Sequence, residues 1–293
     1  MKNFQVADLY FSFDEELELL ANRINYVPFM TDESGNADDF LFQLSVDLDL
    51  KQTNCLEDFT YVNEIGSYGV IANNGVYEWI LKRASDSEFY LMNLDLNARK
   101  AYINFEITDD FTMQAADDFT RFAFIYSAAF HHTVLLHASC IKYDDKGIAF
   151  MGHSGVGKST HSELWLKYVE GSELVNDDQP AVHIKNNAVY IYGTPWSGKT
   201  ICYKQIKVIL KAILCMEQYS YTKLTPISKI ELFTHLLSAA SLIRTDKATL
   251  KMILATLSTI SEKVKGARFL NRPDEEAALI AQKFLQNNKT SLQ

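Results

Sequence analysis

Cysteine is scarce in this sequence: Cys55, Cys140, Cys202 and Cys215 are the only four, far apart and with no CxxC pair. That spacing excludes a disulfide framework and a paired-ligand zinc site, and it predicts reduced thiols in a cytoplasmic protein. No apolar run approaches the ~20 residues needed to span a bilayer, and no strongly basic amphipathic stretch suits an interfacial helix. The first residues, Met1 to Asp8, lack the apolar region of a secretory signal. Positive charge is in the minority: 28 Lys and Arg against 37 Asp and Glu give a formal net charge of -9. A dedicated nucleic-acid binder needs clustered Lys and Arg for the phosphate backbone, so neither nucleic acid nor membrane is an expected partner. Internal repeats and low-complexity segments are absent as well.

What is present is an ordinary globular composition, 47% hydrophobic and 22% charged over 293 residues, enough for two domains. Residues 1–114 read as a small β-rich accessory domain. Strand composition occurs at Phe59-Thr60-Tyr61-Val62, Gly69 to Ala72 and Val76 to Leu81, with Asn73-Asn74-Gly75 as a turn. A further hairpin is expected around Asn97 to Lys100, with Tyr102 to Phe105 as its return strand. The acidic stretch Thr31 to Asp39, with Ser34 inside it, lacks the ligand alternation of a calcium loop and reads as a solvated loop. From 114 to 130, Phe119, Phe122, Ala123, Tyr126 and Phe130 recur at helical spacing, predicting a connecting helix with a core-facing aromatic stripe.

Residues 115–293 read as a second domain of α/β class with α+β character. Val134 to Tyr143 is an expected strand that ends at the turn Asp144 to Gly147. Ile148 to Met151 and Leu174 to Asn176 are short strands, Thr160 to Val169 a helix, and Ala181 to Ile184 with Ala188 to Tyr192 a hairpin. The C-terminal third reads as mostly helical: 228–243 behind a Ser228/Glu231 capping box, 247–265, and 273–285 with Pro273 at its first position.

The strongest chemical signal is Gly152-His153-Ser154-Gly155-Val156-Gly157-Lys158-Ser159, followed by Thr160. It satisfies GxxxxGK[ST] between an apolar strand and a helix. Glycines let backbone N–H groups turn toward phosphate oxygens, and the helix N-terminus adds a favourable dipole. Lys158 suits the β- and γ-phosphates, Ser159 a magnesium ion, and Thr160 a further phosphate oxygen. Asp177-Asp178 closes the next strand, where one carboxylate can hold Mg²⁺ and the other accept a proton from an attacking hydroxyl. Read alone, Asp-Asp-Gln-Pro is also good turn composition. His137 is placed at the end of the strand before the loop, as a structural residue or as a group that donates a hydrogen bond to the γ-phosphate or positions the nucleophile. Tyr192 to Thr200, with Trp196 and Gly198-Lys199-Thr200, is a shaped loop: a wall for substrate, or a buried tryptophan fixing the chain. Its Gly198-Lys199-Thr200 ending echoes a P-loop, but it is not read as a second nucleotide site. Arg121, Arg244, Arg268 and Arg272 are the candidates to stabilise phosphoryl charge, and sequence does not choose among them. The remaining histidines, His131, His132, His153, His161, His183 and His235, form no zinc spacing.

Leu136-His137-Ala138-Ser139, the Gly152 to Thr160 loop and Leu174 to Asp178, in that order and spacing, resemble the catalytic domain of the HPr kinase/phosphorylase family and its kinase-like relatives. That family shares a P-loop fold with ATP-dependent phosphoenolpyruvate carboxykinase. Gly193 to Gly198 and Arg272 to Ala277 resemble the shorter kinase-like branch. The resemblance implies a P-loop kinase domain that uses ATP and Mg²⁺ to phosphorylate a hydroxyl on a protein, a peptide or a small molecule. It implies that Lys158 and Ser159 hold phosphate and metal, that Asp177 is the base and Asp178 the metal-side carboxylate (or the reverse), and that His137 is an active-site histidine. It leaves homo-oligomer formation and the acceptor open. A second reading is a nucleotide-binding regulatory protein without turnover; a third is a carboxykinase-type enzyme, for which the extra basic and metal-binding residues are missing.

Overall fold

The computed structural model describes residues 1–33, 35–53, 59, 61–83, 88–198, 200–241 and 246–287. Ser34, Cys55, Thr60, Lys199 and Arg244, singled out above, lie outside the described residues. The chain divides into two compact units, Met1–His131 with Ile243–Thr249, and His132–Leu242 with Leu250–Gln293.

In the first unit the strands are β1 (Lys2–Val6), β2 (Leu9–Phe13), β3 (Met30–Thr31), β4 (Phe40–Val46), β5 (Tyr61–Val62), β6 (Gly66–Asn73), β7 (Val76–Arg83), β8 (Phe89–Asp95) and β9 (Lys100–Ile103), with helices α1 (Glu18–Ala21) and α2 (Asp110–Ala129). Among the described residues they form one sheet in the order β3-β1-β2-β4-β9-β8-β7-β6-β5. The β6–β7 turn is the expected one, with Asn74 and Gly75 at φ 49° and 84°, the left-handed pair of a two-residue hairpin loop. Strands β1, β2 and β4 escape sequence reading because β2 is buried at every position and so shows no alternation.

Helix α2 opens on a reciprocal capping box between Asp109 and Thr112. Its aromatic face is core: Phe122 stacks on Trp79 at 4.3 Å, Phe119 meets Tyr68 edge-on at 5.9 Å, and Tyr126 meets Tyr77 at 4.6 Å. Each such pair contributes ~0.5–1.5 kcal/mol beyond the area it buries. That packing assigns α2 to the first unit, so the division falls after the helix rather than near its start. Phe130 departs from the expected stripe: it caps the helix and is 42% exposed.

In the second unit the strands are β10 (Thr133–Leu135), β11 (Ala138–Tyr143), β12 (Lys146–Met151), β13 (Ser172–Asn176), β14 (Ala181–Lys185), β15 (Ala188–Tyr192), β16 (Lys207–Gln218), β17 (Lys223–Pro226) and β18 (Lys265–Asn271). The helices are α3 (Lys158–Tyr168), α4 (Lys229–Ala239), α5 (Lys247–Lys263, whose first residues fall in the other unit) and α6 (Glu275–Gln286). The sheet runs β10-β14-β15-β16-β12-β11-β13, and β18 pairs with both β16 and β17. β12, β16 and β18 are parallel neighbours, so their carboxyl ends lie side by side. β11 is inserted antiparallel between β12 and β13. On one face, Phe150, Leu214 and Phe269 from these strands bury against Trp165 of α3 and Ala278 and Ala281 of α6.

Three expectations are corrected here. The run Val134 to Tyr143 is two strands, broken at Leu136-His137. The C-terminal third is not mostly helical: β16, β17 and β18 are strands, and residue 265 opens β18 instead of ending a helix. β18 reads poorly because Gly266, Arg268 and Asn271 interrupt its apolar residues. Pro273 precedes the last helix, whose N-cap is Asp274. At α4 the Ser228 hydroxyl accepts from the Glu231 N–H, one of the two bonds of the expected capping box.

Candidate functional site

The site is built where the carboxyl end of β12 meets the N-terminus of α3. Gly155 and Gly157 hold φ of 80° and 97°, a backbone that L side chains rarely adopt. A Cβ at either would meet nothing within 4 Å, so the loop leaves open space above these two residues. Gly157 is the N-cap, and α3 begins at Lys158 rather than at Thr160. Ser159 is half-buried on its first turn, and Thr160, His153 and Ser154 are exposed, whereas Val156 is buried beneath them.

Lys158 does not project into solvent. Its Nζ donates to the carbonyls of Gly152 at 3.1 Å and His153 at 3.4 Å, and lies 3.0 Å from His137 Nε2. His137 sits in the break between β10 and β11 rather than next to the loop in sequence. The register Ala138↔Met151 brings it beside Gly152. Its Nδ1 is 2.8 Å from Asp178 Oδ1. Burial pulls the Lys158 ammonium below the usual lysine range, against the opposing pull of Asp178 and Asp177.

The two carboxylates differ. Asp177 is 4% exposed; its Oδ1 accepts from Ser139 Oγ at 2.9 Å, and its buried Oδ2 has no hydrogen-bond partner. Ser139 Oγ also lies 2.6 Å from Ser162 Oγ on α3, which ties the carboxylate to the helix of the glycine loop. Asp178 is more open, and its backbone N–H and that of Gln179 donate to Asn176 Oδ1. Asn176 Nδ2 in turn donates to Thr194 Oγ1 and to the Trp196 carbonyl, both at 3.2 Å. The 193–198 loop is thereby fastened onto the Asp pair. A Cβ at Gly198 would approach Asp178 Cβ to 3.1 Å, so a larger residue there would push on the carboxylate. Trp196 is buried, which favours the loop-fixing reading over the exposed wall.

A cleft of about 430 Å³ opens beside the loop, lined among others by His137, Gly152, Cys215, Glu217, His235 and Ser238. Glu217 is held by Arg268 through two 2.7 Å bonds, which keeps its carboxyl below the usual range. Arg272 is engaged by Asp274 and Glu276, and Arg121 pairs with Asp118 in the first unit. Burial lowers the His161 imidazole to about 3; its Nε2 accepts from Trp165 Nε1, and it takes no part in the site.

Sequence reasoning missed Ser139, Asn176 and Thr194 as supports, along with the cleft residues of β16 and α4. Ser139 carried a signal as the last residue of the Leu136-His137-Ala138-Ser139 motif, which sequence reasoning reads for its histidine alone. Among the described residues no cluster of three or more His, Cys, Asp or Glu could hold a metal by itself, and no helix is long and apolar enough to cross a membrane.

Neither the known family models nor the curated proteins contain a match to this chain. Among solved structures, the chain is similar to the Hpr(Ser) kinase/phosphatase from Coxiella burnetii, at 15% sequence identity and a TM-score of 0.30. The match covers 52% of this chain and 88% of that one. A likeness that distant adds nothing to the chemistry of the site, which rests on its own geometry.

Proposed function

We propose that the second unit is an ATP- and Mg²⁺-dependent phosphotransferase that moves the γ-phosphoryl group to a hydroxyl. One observation carries the reading: the P-loop lysine is held at the mouth of a glycine loop by a histidine that is itself bonded to the second of two adjacent carboxylates. The open space over Gly155 and Gly157 suits phosphate oxygens, as do the N–H groups opening α3. The cation would be held by the Ser159 hydroxyl, the Asp178 carboxylate and phosphate oxygens, an all-oxygen set that suits magnesium. Bound there, it would neutralise phosphate charge during transfer.

Lys158 exchanges His137 Nε2 for a phosphate oxygen when the nucleotide arrives. The unpartnered Oδ2 of Asp177 takes the proton of the acceptor hydroxyl while Ser139 holds Oδ1. The hydroxyl oxygen bonds to the γ-phosphorus as the bridging bond to the β-phosphate breaks, and ADP leaves. A cleft beside Gly152 opens onto the glycine loop.

His137 lines that cleft, which favours a second assignment in which His137, oriented by Asp178, takes the proton. The test is ATP binding and phosphoryl transfer in Asp177→Asn and His137→Gln. Intact binding with transfer lost chiefly in Asp177→Asn supports the first assignment; loss chiefly in His137→Gln supports the second. Intact ATP binding with no turnover by the wild type, in the presence of hydroxyl acceptors or water, would instead favour a regulatory protein.

A further inference from the structure

We infer that Tyr219 and Tyr221 form the seat for the base of the bound nucleotide, an inference that rests on the P-loop reading above. The sheet topology separates the two flanks of the glycine loop. On one side of β12 lie β11 and β13, which carry Ser139 and lead into Asp177-Asp178. On the other side lie β16 and β18, parallel to β12. A nucleotide whose γ-phosphate faces the carboxylates extends its ribose and base toward the second flank. Ligands of open α/β sheets occupy this crevice beyond the carboxyl ends of the strands. β12 and β18 are two strand spacings apart, roughly 10 Å, a distance on the scale of a nucleoside.

The segment that waits there is Tyr219 to Thr222, between β16 and β17. Gln218 Nε2 donates to the Gly155 carbonyl at 3.1 Å, so the start of this segment is tied to the glycine loop itself. Tyr219 N–H donates to the Asn271 carbonyl at 3.1 Å, and the Arg272 N–H donates to Thr222 Oγ1 at 3.3 Å, which fixes the segment over the end of β18. Tyr219 and Tyr221 pack edge to face, with ring centroids 4.6 Å apart and planes at 74°. Each supports the other's orientation, yet they remain 50% and 48% exposed. An exposed, mutually braced aromatic pair that directly follows a residue hydrogen-bonded to a phosphate-binding loop is a stacking platform: every base has a π-face, and tyrosine offers a rigid partner.

The test compares Mg²⁺-ATP with Mg²⁺-tripolyphosphate, which has the phosphates but no base, by titration calorimetry on the full chain. Wild type is expected to bind ATP about 10-fold more tightly, a difference of about 1.4 kcal/mol. Tyr219→Ala/Tyr221→Ala is expected to lower ATP affinity to that of tripolyphosphate while leaving tripolyphosphate binding unchanged, which also reports that the variant is folded. Tyr219→Phe/Tyr221→Phe is expected to keep the preference. Equal binding of both ligands by wild type, or an Ala variant that keeps the preference, overturns the inference and leaves the P-loop reading standing. Binding of neither ligand by wild type overturns the P-loop reading, and the inference with it.

Discussion

Lys158 Nζ stands 3.0 Å from His137 Nε2. An ammonium can only donate, so Nε2 must accept, and the ring proton sits on Nδ1, 2.8 Å from Asp178 Oδ1. The carboxylate thus sets the tautomer, and the imidazole parks the lysine until phosphate displaces it. His137→Ala is expected to leave ATP affinity roughly unchanged, and to slow transfer by about 10²-fold or more where His137 takes the proton but by clearly less than Asp177→Asn where Asp177 does. Unchanged transfer would show that the imidazole only fills space.

Gly157 should be needed for its backbone more than for its surroundings. At φ 97° an L residue is strained, and nothing else stands within 4 Å of the missing Cβ. Gly157→Ala is therefore expected to cost about 1–2 kcal/mol of stability, visible in a urea melt, and to weaken nucleotide binding far more than that because the methyl occupies the phosphate cradle. Wild-type nucleotide affinity in this variant would contradict the cradle.

The support under the Asp pair should be measurable as stability. Asn176 is fully buried and uses both ends of its amide, Oδ1 for the Asp178 and Gln179 N–H groups and Nδ2 for the 194–196 loop. Asn176→Ala strands those buried groups, at about 1–3 kcal/mol for one left unsatisfied. Denaturant unfolding checks the figure, and a loss below about 0.5 kcal/mol would mean the loop relaxes onto other partners.

Acid sensitivity should trace in part to His161. Its folded value of about 3 lies below the unfolded 6.5 because burial disfavours the charged ring. The unfolded chain takes up the proton first, so the contribution is complete above about pH 6.5 and is lost as pH falls toward 3. At pH 5 the loss is about 2 kcal/mol, from ~1.4 kcal/mol per pH unit. His161→Gln, which keeps an acceptor for Trp165, should show a correspondingly smaller drop in unfolding free energy between pH 7 and pH 5. An identical drop would place the acid sensitivity elsewhere.

Local signals account for what was legible in the sequence. Gly152 to Ser159 carries its own spacing, turn glycines and following helix, and the hairpin at Asn186-Asn187 carries the two left-handed residues its turn needs, at φ 50° and 64°. Long-range registers account for what was not. His137 reaches Lys158 only because Ala138 pairs with Met151, and the cleft assembles residues from β16 and α4 that are far from the loop in sequence. Strand β18 is hidden by Gly266, Arg268 and Asn271, tolerable because β16 and β17 pair with it on both edges.

The central claim is that Gly152 to Thr160 binds a nucleoside triphosphate through Lys158. The most direct test is the thermal stability of wild type and Lys158→Ala with Mg²⁺-ATP, ATP with EDTA, and ADP. At 100 times its dissociation constant a ligand adds about 2.7 kcal/mol to the folded state. The account predicts a Mg²⁺-dependent upward shift in the wild type that disappears in Lys158→Ala. No shift with any nucleotide, or an equal shift in the variant, would contradict it.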